Sequence, residues 1–274
     1  MEAYTDFASV YDIFMDETPY QDWAEYLSFL VEKYGVSRPG ERSADAKMDS
    51  EGEALRSERD LVVDLGCGTG TLTELLARKG YDMVGIDNSE EMLAIAMEKR
   101  DRDGLDILYL MQDMREMELY CTAGTILSVC DSLNYLLEEE DLLKTFRLVN
   151  NYLYPGGVFL FDFNTVYKYE QVIGNTTIAE NREECSFIWE NYYHEEEQVN
   201  EYDLTIFVKE EGGLFRRFEE THYQRGYTLS VMRRLVEEAG MEFVTAIDAD
   251  THDAVTAESE RIYVVAREVQ KEKR

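Results

Sequence analysis

The stretch LVVDLGCGTGTL, residues 61–72, limits the possible folds of this chain more than any other segment. A short apolar run ends at Asp64, and three alternating glycines, Gly66, Gly68 and Gly70, follow. Leu72, Leu75 and Leu76 then recur at helical spacing, with Gly80 placed to stop the helix. An apolar run that turns through glycines into an amphipathic helix describes a buried parallel strand feeding a crossover. Glycines at that turn permit positive φ and let a ligand approach the backbone closely. Their spacing excludes two familiar uses. The dinucleotide fingerprint G-x-G-x-x-G needs glycine where Thr71 stands, and no lysine follows in the Walker-A position. A ligand over this turn should therefore carry a nucleoside without needing a pyrophosphate cradle.

The alternation continues. Residues 83–86 (MVGI) read as a second strand, and Asn88 with Glu91 as a capping box for a helix carrying Met92, Ile95 and Ala96. Strands are expected at 107–111 and 125–129. A helix follows on Leu142, Phe146, Val149 and Leu153, closed by Pro155, Gly156 and Gly157 before a strand at 158–163. This is the pattern of a Rossmann-like, doubly wound α/β fold. From 165 to 225 the composition turns β-branched and aromatic (SFIWENYY, YDLTIFVK), with EEGG as a hairpin turn, so an antiparallel insertion of two to four strands is expected after the fifth strand. A helix on Met232, Leu235, Val236 and Ala239 and strands near 242–247 and 261–266 complete a mixed sheet of about seven strands. Ahead of the core, Trp23, Tyr26, Leu27, Leu30, Val31 and Tyr34 mark a helix over 20–34. Residues 36–59 lose all aromatics and read as a mobile surface loop. The chain is thus expected to be one domain: a helical cover (1–35), that loop, a ligand-binding core (60–164), the insertion (165–225) and a C-terminal completion of the sheet (226–274).

Charge narrows the partners. With 27 Lys plus Arg against 58 Asp plus Glu, the net charge is −31, which repels phosphate backbones and anionic membranes. The N-terminus lacks the basic start and apolar core of a signal peptide, and no run is long enough to span a bilayer. Cys67, Cys121, Cys130 and Cys185 form no C-x-x-C pair and, with three scattered histidines, no zinc spacing, so they read as reduced cytoplasmic thiols.

Acids recur where a nucleoside would need them. Asp64 ends the first strand. Asp87 ends the second, 21 residues after Gly66, a separation suited to a carboxylate that accepts both ribose hydroxyls. Asp113 ends the third, where it could accept from an adenine amino group. Any one of them could be a helix cap or turn former. Three at the carboxyl ends of adjacent strands point to a ligand at that edge of the sheet.

DLGCGTG, GID, the QDM acid and the PGG-closed helix resemble the class I S-adenosylmethionine-dependent methyltransferases. YTDFASVYDIFM and YQDWAEYL at the start, DSLNYL at 131–136, and FEETHYQRGYTLSVMRRLVEEAGM with ERIYVVA near the end are similar to a small-molecule branch with an N-terminal helical cover and a β-rich insertion. The resemblance implies S-adenosyl-L-methionine as cofactor, S-adenosyl-L-homocysteine as product, and no metal. It places Asp64 and the Gly66 backbone at the methionine amino and carboxylate ends, with Cys67, Gly68 and Gly70 in the same turn. Asp87 and Asn88 fall at the ribose, Asp113 and the Met114 backbone at adenine, and Cys130 and Asp131 beside the sulfonium. Tyr4, Phe7, Tyr11 and Trp23 match an aromatic cover, Tyr11 being the first choice for contact; Phe7 and Trp23 read equally as core.

Methyl transfer from a sulfonium is an in-line displacement in which alignment supplies most of the acceleration, so the only proton to move is the acceptor's. Alternation places Glu220, His222 and Gln224 on one face of their strand and Thr221, Tyr223 and Arg225 on the other. His222 is therefore a candidate to orient or deprotonate an acceptor, with Asp131 as a second catalytic candidate; a histidine bonded only within the insertion is the competing reading. His194 and His252 read as solvent-exposed, and Tyr227 and Arg261 as anchors of the insertion. The expected activity is transfer to N or O of a small metabolite. An RNA- or tRNA-modifying enzyme of the same fold and a non-catalytic cofactor-binding module are the alternatives.

Overall fold

Parallel strands need long crossovers, and the helices between residues 61 and 164 supply them. The structure, a computed structural model, describes residues 7–40, 57–210 and 212–271. Strands β1 (Leu61–Leu65), β2 (Asp82–Asp87), β3 (Ile107–Met111), β4 (Ala123–Ser128) and β5 (Leu153–Asn164) pair in parallel. The chain then leaves this sheet for β6 (Thr177–Asn181), β7 (Cys185–His194), β8 (Val199–Lys209) and β9 (Phe215–Arg225), an antiparallel four-stranded sheet in chain order. It returns as β10 (Met241–Asp248) and β11 (Arg261–Glu268), each antiparallel to its neighbour, so the main sheet runs β10-β11-β5-β4-β1-β2-β3. The strand order reverses between β1 and β4, and open α/β sheets bind ligands at the carboxyl ends flanking such a reversal.

Alternate residues of each strand feed two separate cores, which is what double winding means physically. Val63, Leu65, Phe159, Phe161 and Phe163 face α5 (Glu139–Tyr152) and α6 (Leu229–Glu238), meeting Phe146, Val149, Met232 and Leu235. Val62, Met83, Val158 and Leu160 face the opposite layer, meeting Leu27 and Leu30 of α2 (Tyr20–Tyr34), Leu72 and Leu76 of α3 (Thr71–Arg78), and Leu93 of α4 (Glu90–Asp103). Each such side chain contributes roughly 1.5–3 kcal/mol by leaving water, so either face alone anchors its helices. A third cluster is separate from both: Val10 of α1 (Ala8–Phe14) packs with Cys185, Phe187, Leu204 and Ile206 on one face of the antiparallel sheet. The N-terminal helix is therefore fastened to the insertion as well as to the core.

Two local expectations are corrected. The cap of α4 is Ser89, whose Oγ accepts from Met92 N at 3.2 Å; the Asn88 box is displaced by one residue because Asp87 Oδ1 accepts the Ser89 amide at 2.9 Å and fixes the turn. Pro155, Gly156 and Gly157 do not close α5. That helix stops at Tyr152, and Leu153 already pairs with Ala123; the next pair is Thr125 with Val158, so the Pro-Gly-Gly segment forms a bulge inside β5. Most of the 36–59 loop, residues 41–56, lies outside the described residues, as does Tyr4.

Candidate active site

The Gly-rich turn leaves β1 with φ of +82° at Gly66, +54° at Gly68 and +74° at Gly70, conformations that side chains resist. The turn is tied to β2: Gly66 N and Cys67 N both donate to Ile86 O, at 2.7 and 3.0 Å, and Gly68 N donates to Asp87 Oδ2 at 2.8 Å. A Cβ built on Gly68 meets nothing within 4 Å, so the backbone there faces open space. That space is a cavity of about 510 Å³ across the carboxyl ends of the strands.

Of the residues expected to contact a cofactor, Tyr11, Asp64, Gly66, Cys67, Gly68, Asp87, Asn88, Asp113, Met114 and Cys130 line this cavity. Gly70 does not; it is the residue before α3, with its amide on Cys67 O at 2.9 Å. Asp131 and His222, the two catalytic candidates, are also absent from the lining. Tyr20, Ser132, Tyr135 and Leu136 line it in addition. Tyr135 lies inside the DSLNYL motif, which was the available signal for it. Tyr20 opens the YQDWAEYL segment, which was the available signal for it; that it reaches the cavity depends on how α2 crosses the sheet. Trp23 instead stacks beneath the Arg261 guanidinium, and Phe7 packs on the insertion.

The carboxyls respond to their surroundings in different ways. Asp64, 2% exposed, is pushed up to about 6 by burial despite accepting from Thr73 Oγ1 at 2.5 Å. Burial also raises Asp87, against the amides of Ser89, Gly68 and Asn88. Asp113 is held below the usual carboxylate range by Arg115, whose Nη2 donates to it at 2.6 Å. A buried carboxyl pushed upward gains from any ligand that brings positive charge, because the cation offsets the loss of water around the anion.

After β4 the chain makes a tight turn through Cys130 and Asp131, both at positive φ. Asp162 of β5, which the sequence reading did not single out, holds it: its carboxylate accepts from Cys130 N at 3.1 Å and Asp131 N at 2.9 Å. Burial pushes Asp162 up to about 6, and Arg261 sits 3.6 Å away as counter-charge. Asp131 itself accepts from Gln224 Nε2 of the insertion at 2.6 Å and from Asn164 Nδ2 at the end of β5 at 3.2 Å. The anchors lie close by. Asn134 Nδ2 donates to Asn164 O and Arg225 O, at 2.9 and 2.7 Å, and the Tyr227 hydroxyl donates to Leu136 O.

His222 is 2% exposed and shares a face with Glu220 and Gln224, as the alternation predicted; the structure turns that face inward. Its Nδ1 lies 3.1 Å from Tyr135 Oη, and its Nε2 lies 3.2 Å from Glu220 Oε2. His194 and His252 are exposed; the first meets Glu201, and the second stacks on Tyr26.

A nucleoside-bearing cation fits these residues. The glycine turn bares its backbone to the cavity, carboxylates stand at the ends of three adjacent strands, and the volume falls within the roughly 300–1,000 Å³ typical of small-molecule sites. Among the described residues, no helix is long and apolar enough to cross a membrane.

Comparison with known proteins agrees. Residues 62–157 match the family model described as a methyltransferase domain. A protein of Geobacillus sp. (strain WCH70), provisionally named a methyltransferase, is 34% identical over 97% of this chain and 99% of its own. YqeM of Bacillus subtilis (strain 168), provisionally named likewise, is 34% identical over 96% of each chain. The crystal structure of an S-adenosylmethionine-dependent methyltransferase from Clostridium acetobutylicum ATCC 824 superposes with a TM-score of 0.79 at 27% identity, covering 98% of this chain and 100% of that one. Strand order, glycine turn and full-length similarity agree: this chain belongs to the class I S-adenosylmethionine-dependent methyltransferases.

Proposed function

We propose that the enzyme methylates a nitrogen or oxygen of a small metabolite by in-line displacement, releasing S-adenosyl-L-homocysteine. The observation that carries this reading is the lining of the cavity beyond the glycine turn. Tyr11 from α1, Tyr20 from α2, and Tyr135 with Leu136 after β4 converge there, so three separate elements wall one chamber of about 510 Å³ that cofactor and acceptor would share. Aromatic walls suit a small, partly apolar acceptor, whereas an RNA site calls for a basic track along the backbone. The net charge of −31 weighs the same way.

When bound, the cofactor supplies an electrophilic methyl carbon and a neutral thioether leaving group. Asp64 and the Gly66 backbone would hold its methionine end, Asp87 and Asn88 its ribose, and Asp113 with Met114 its adenine; Cys67, Gly68 and Cys130 complete the wall. What the chain adds is alignment of the acceptor with the carbon–sulfur axis, together with exclusion of water by the aromatic cover. Cover, core and insertion act as one methyltransferase unit over residues 1–274. Four free cysteines support a reducing, cytoplasmic setting.

Isothermal titration should show S-adenosyl-L-homocysteine binding in the micromolar range or tighter. Gly68→Asp should abolish it: aspartate tolerates the left-handed backbone there, but its carboxylate would project into the cavity. A filter assay against bulk tRNA should show no retention. A wild-type chain that bound neither cofactor nor product would sink the reading.

A further inference from the structure

Behind the cavity wall lies a buried chain of titratable groups that ligand binding leaves unexplained. Tyr135, which borders the cavity, has its Oη 2.7 Å from Tyr202 Oη and 3.1 Å from His222 Nδ1. The far nitrogen of His222 meets Glu220 Oε2 at 3.2 Å, and the other Glu220 oxygen accepts the Phe7 amide at 2.9 Å. Glu220 and His222 are 6% and 2% exposed. The imidazole is clamped by Tyr202, stacked at 5.1 Å between centroids and 8° between planes, and by the edge of Tyr135 at 6.0 Å.

The chemistry of these groups sets the direction of the bonds. With Glu220 as a carboxylate, which only accepts, Nε2 donates to it and Nδ1 accepts from Tyr135. Tyr202 in turn donates to Tyr135. We propose that Tyr135, His222 and Glu220 form a proton relay that deprotonates the acceptor, with Tyr135 the catalytic residue and the other two acting through it. The proposal rests on the small-metabolite reading and assigns the enzyme an acceptor whose nucleophilic atom carries a proton to be lost, a hydroxyl or a protonated amine. For a hydroxyl, the proton passes to Tyr135 Oη as the oxygen gains its bond to the methyl carbon; for a protonated amine, it passes first, freeing the lone pair that then attacks. In both cases the carbon–sulfur bond breaks with its electron pair left on sulfur. The tyrosine's own proton passes to His222 Nδ1, and the imidazolium is held by the Glu220 carboxylate. After product leaves, the proton returns by the same path to water. Because Glu220 also holds the amide of Phe7, at the start of α1, seating that helix over the cavity positions the relay.

The relay predicts a ring state that is measurable without any acceptor. The chain has three histidines, so ring-¹⁵N-labelled protein with S-adenosyl-L-homocysteine bound, compared with His222→Gln, identifies the His222 signals. The wild type should show a protonated Nε2 and a bare, hydrogen-bonded Nδ1, and Tyr135→Phe should move the Nδ1 resonance toward that of an unbonded nitrogen. For turnover, the probe is a protein-free small-molecule extract of bacterial cells incubated with methyl-labelled S-adenosylmethionine. Tyr135→Phe and His222→Gln should each lower label transfer about 10²-fold or more, the usual worth of general-base catalysis. Tyr202→Phe should cost less than about tenfold, since the path to His222 survives. Product affinity should stay within about threefold, under 1 kcal/mol. The deficit of the first two variants should narrow as pH rises and hydroxide replaces the missing base. Tyr202 and the Phe7 amide also face the relay. A wild-type Nδ1 that carries the proton, or a Tyr135→Phe enzyme at full rate, overturns the relay. No label transfer by a wild-type protein that binds S-adenosyl-L-homocysteine overturns the small-metabolite reading and the relay with it.

Discussion

Asp64, proposed above to hold the methionine end of the cofactor, opposes stability. Its carboxyl, ordinarily near 3.8, is pushed up to about 6 by burial in the folded chain, against a hydrogen bond from Thr73 that favours ionisation. A folded-state value above the unfolded one means that the folded protein holds the proton more tightly. The contribution is fully present below about pH 4 and is lost as pH rises through 6. Asp64→Asn keeps an acceptor for Thr73 and removes the titration. Without cofactor, this variant should be more stable than wild type by about 2–3 kcal/mol at pH 7.5, and the gap should close as pH falls toward 4. Thermal melts across that range check it, while titration calorimetry of the same variant should show weakened cofactor binding. Asp64, Asp87 and Asp113 were legible in the sequence because each ends a strand whose apolar pattern is plain. Asp162 was not: in VFLFDF it reads as a single polar interruption of a continuous apolar run. The amides it holds, on Cys130 and Asp131, lie 32 and 31 residues earlier in the chain.

Helix α1 is seven residues long and has no side-chain cap, too short to persist alone in water. Tertiary contacts hold it over the cavity. Asp12 accepts from Thr69 Oγ1 at 2.6 Å in the glycine turn and from Lys99 Nζ at 2.9 Å on α4, while Arg182 Nη1 reaches Ile13 O and Asp16 from the insertion. The Asp12 side chain is partly exposed, so the latch is worth on the order of 1 kcal/mol. Asp12→Ala should speed hydrogen–deuterium exchange across residues 8–14 and weaken product binding several-fold through Tyr11, with the sheet unaffected. Unchanged exchange in 8–14 would show that apolar docking on Phe187 and Leu204 suffices. Helices with a clear apolar stripe, α2, α3, α5 and α6, were predicted from periodicity. The end of α5 and the cap of α4 were misplaced, because a bulge and a carboxylate on the preceding residue decided them, and neither leaves a periodic signal.

Across the whole molecule, a net charge of −31 leaves the acidic groups repelling one another. Screening should therefore stabilise the fold: raising NaCl from roughly 0.05 to 0.5 M should lift the melting temperature by several degrees, and a fall would contradict the charge argument. Sequence alone determined the doubly wound sheet, the insertion after its fifth strand and the acid-lined turn. These follow from periodicity and glycine spacing, which act over a few residues and recur wherever that local chemistry recurs. Only the tertiary structure decided what closes the cavity and what stands behind its wall. Tyr20 arrives there by the crossing of α2, and His222 meets Tyr135 across 87 residues of chain. Alternation says which face of a strand a side chain occupies; what that face meets is set by how two sheets and a helix pack, which no short stretch of sequence encodes.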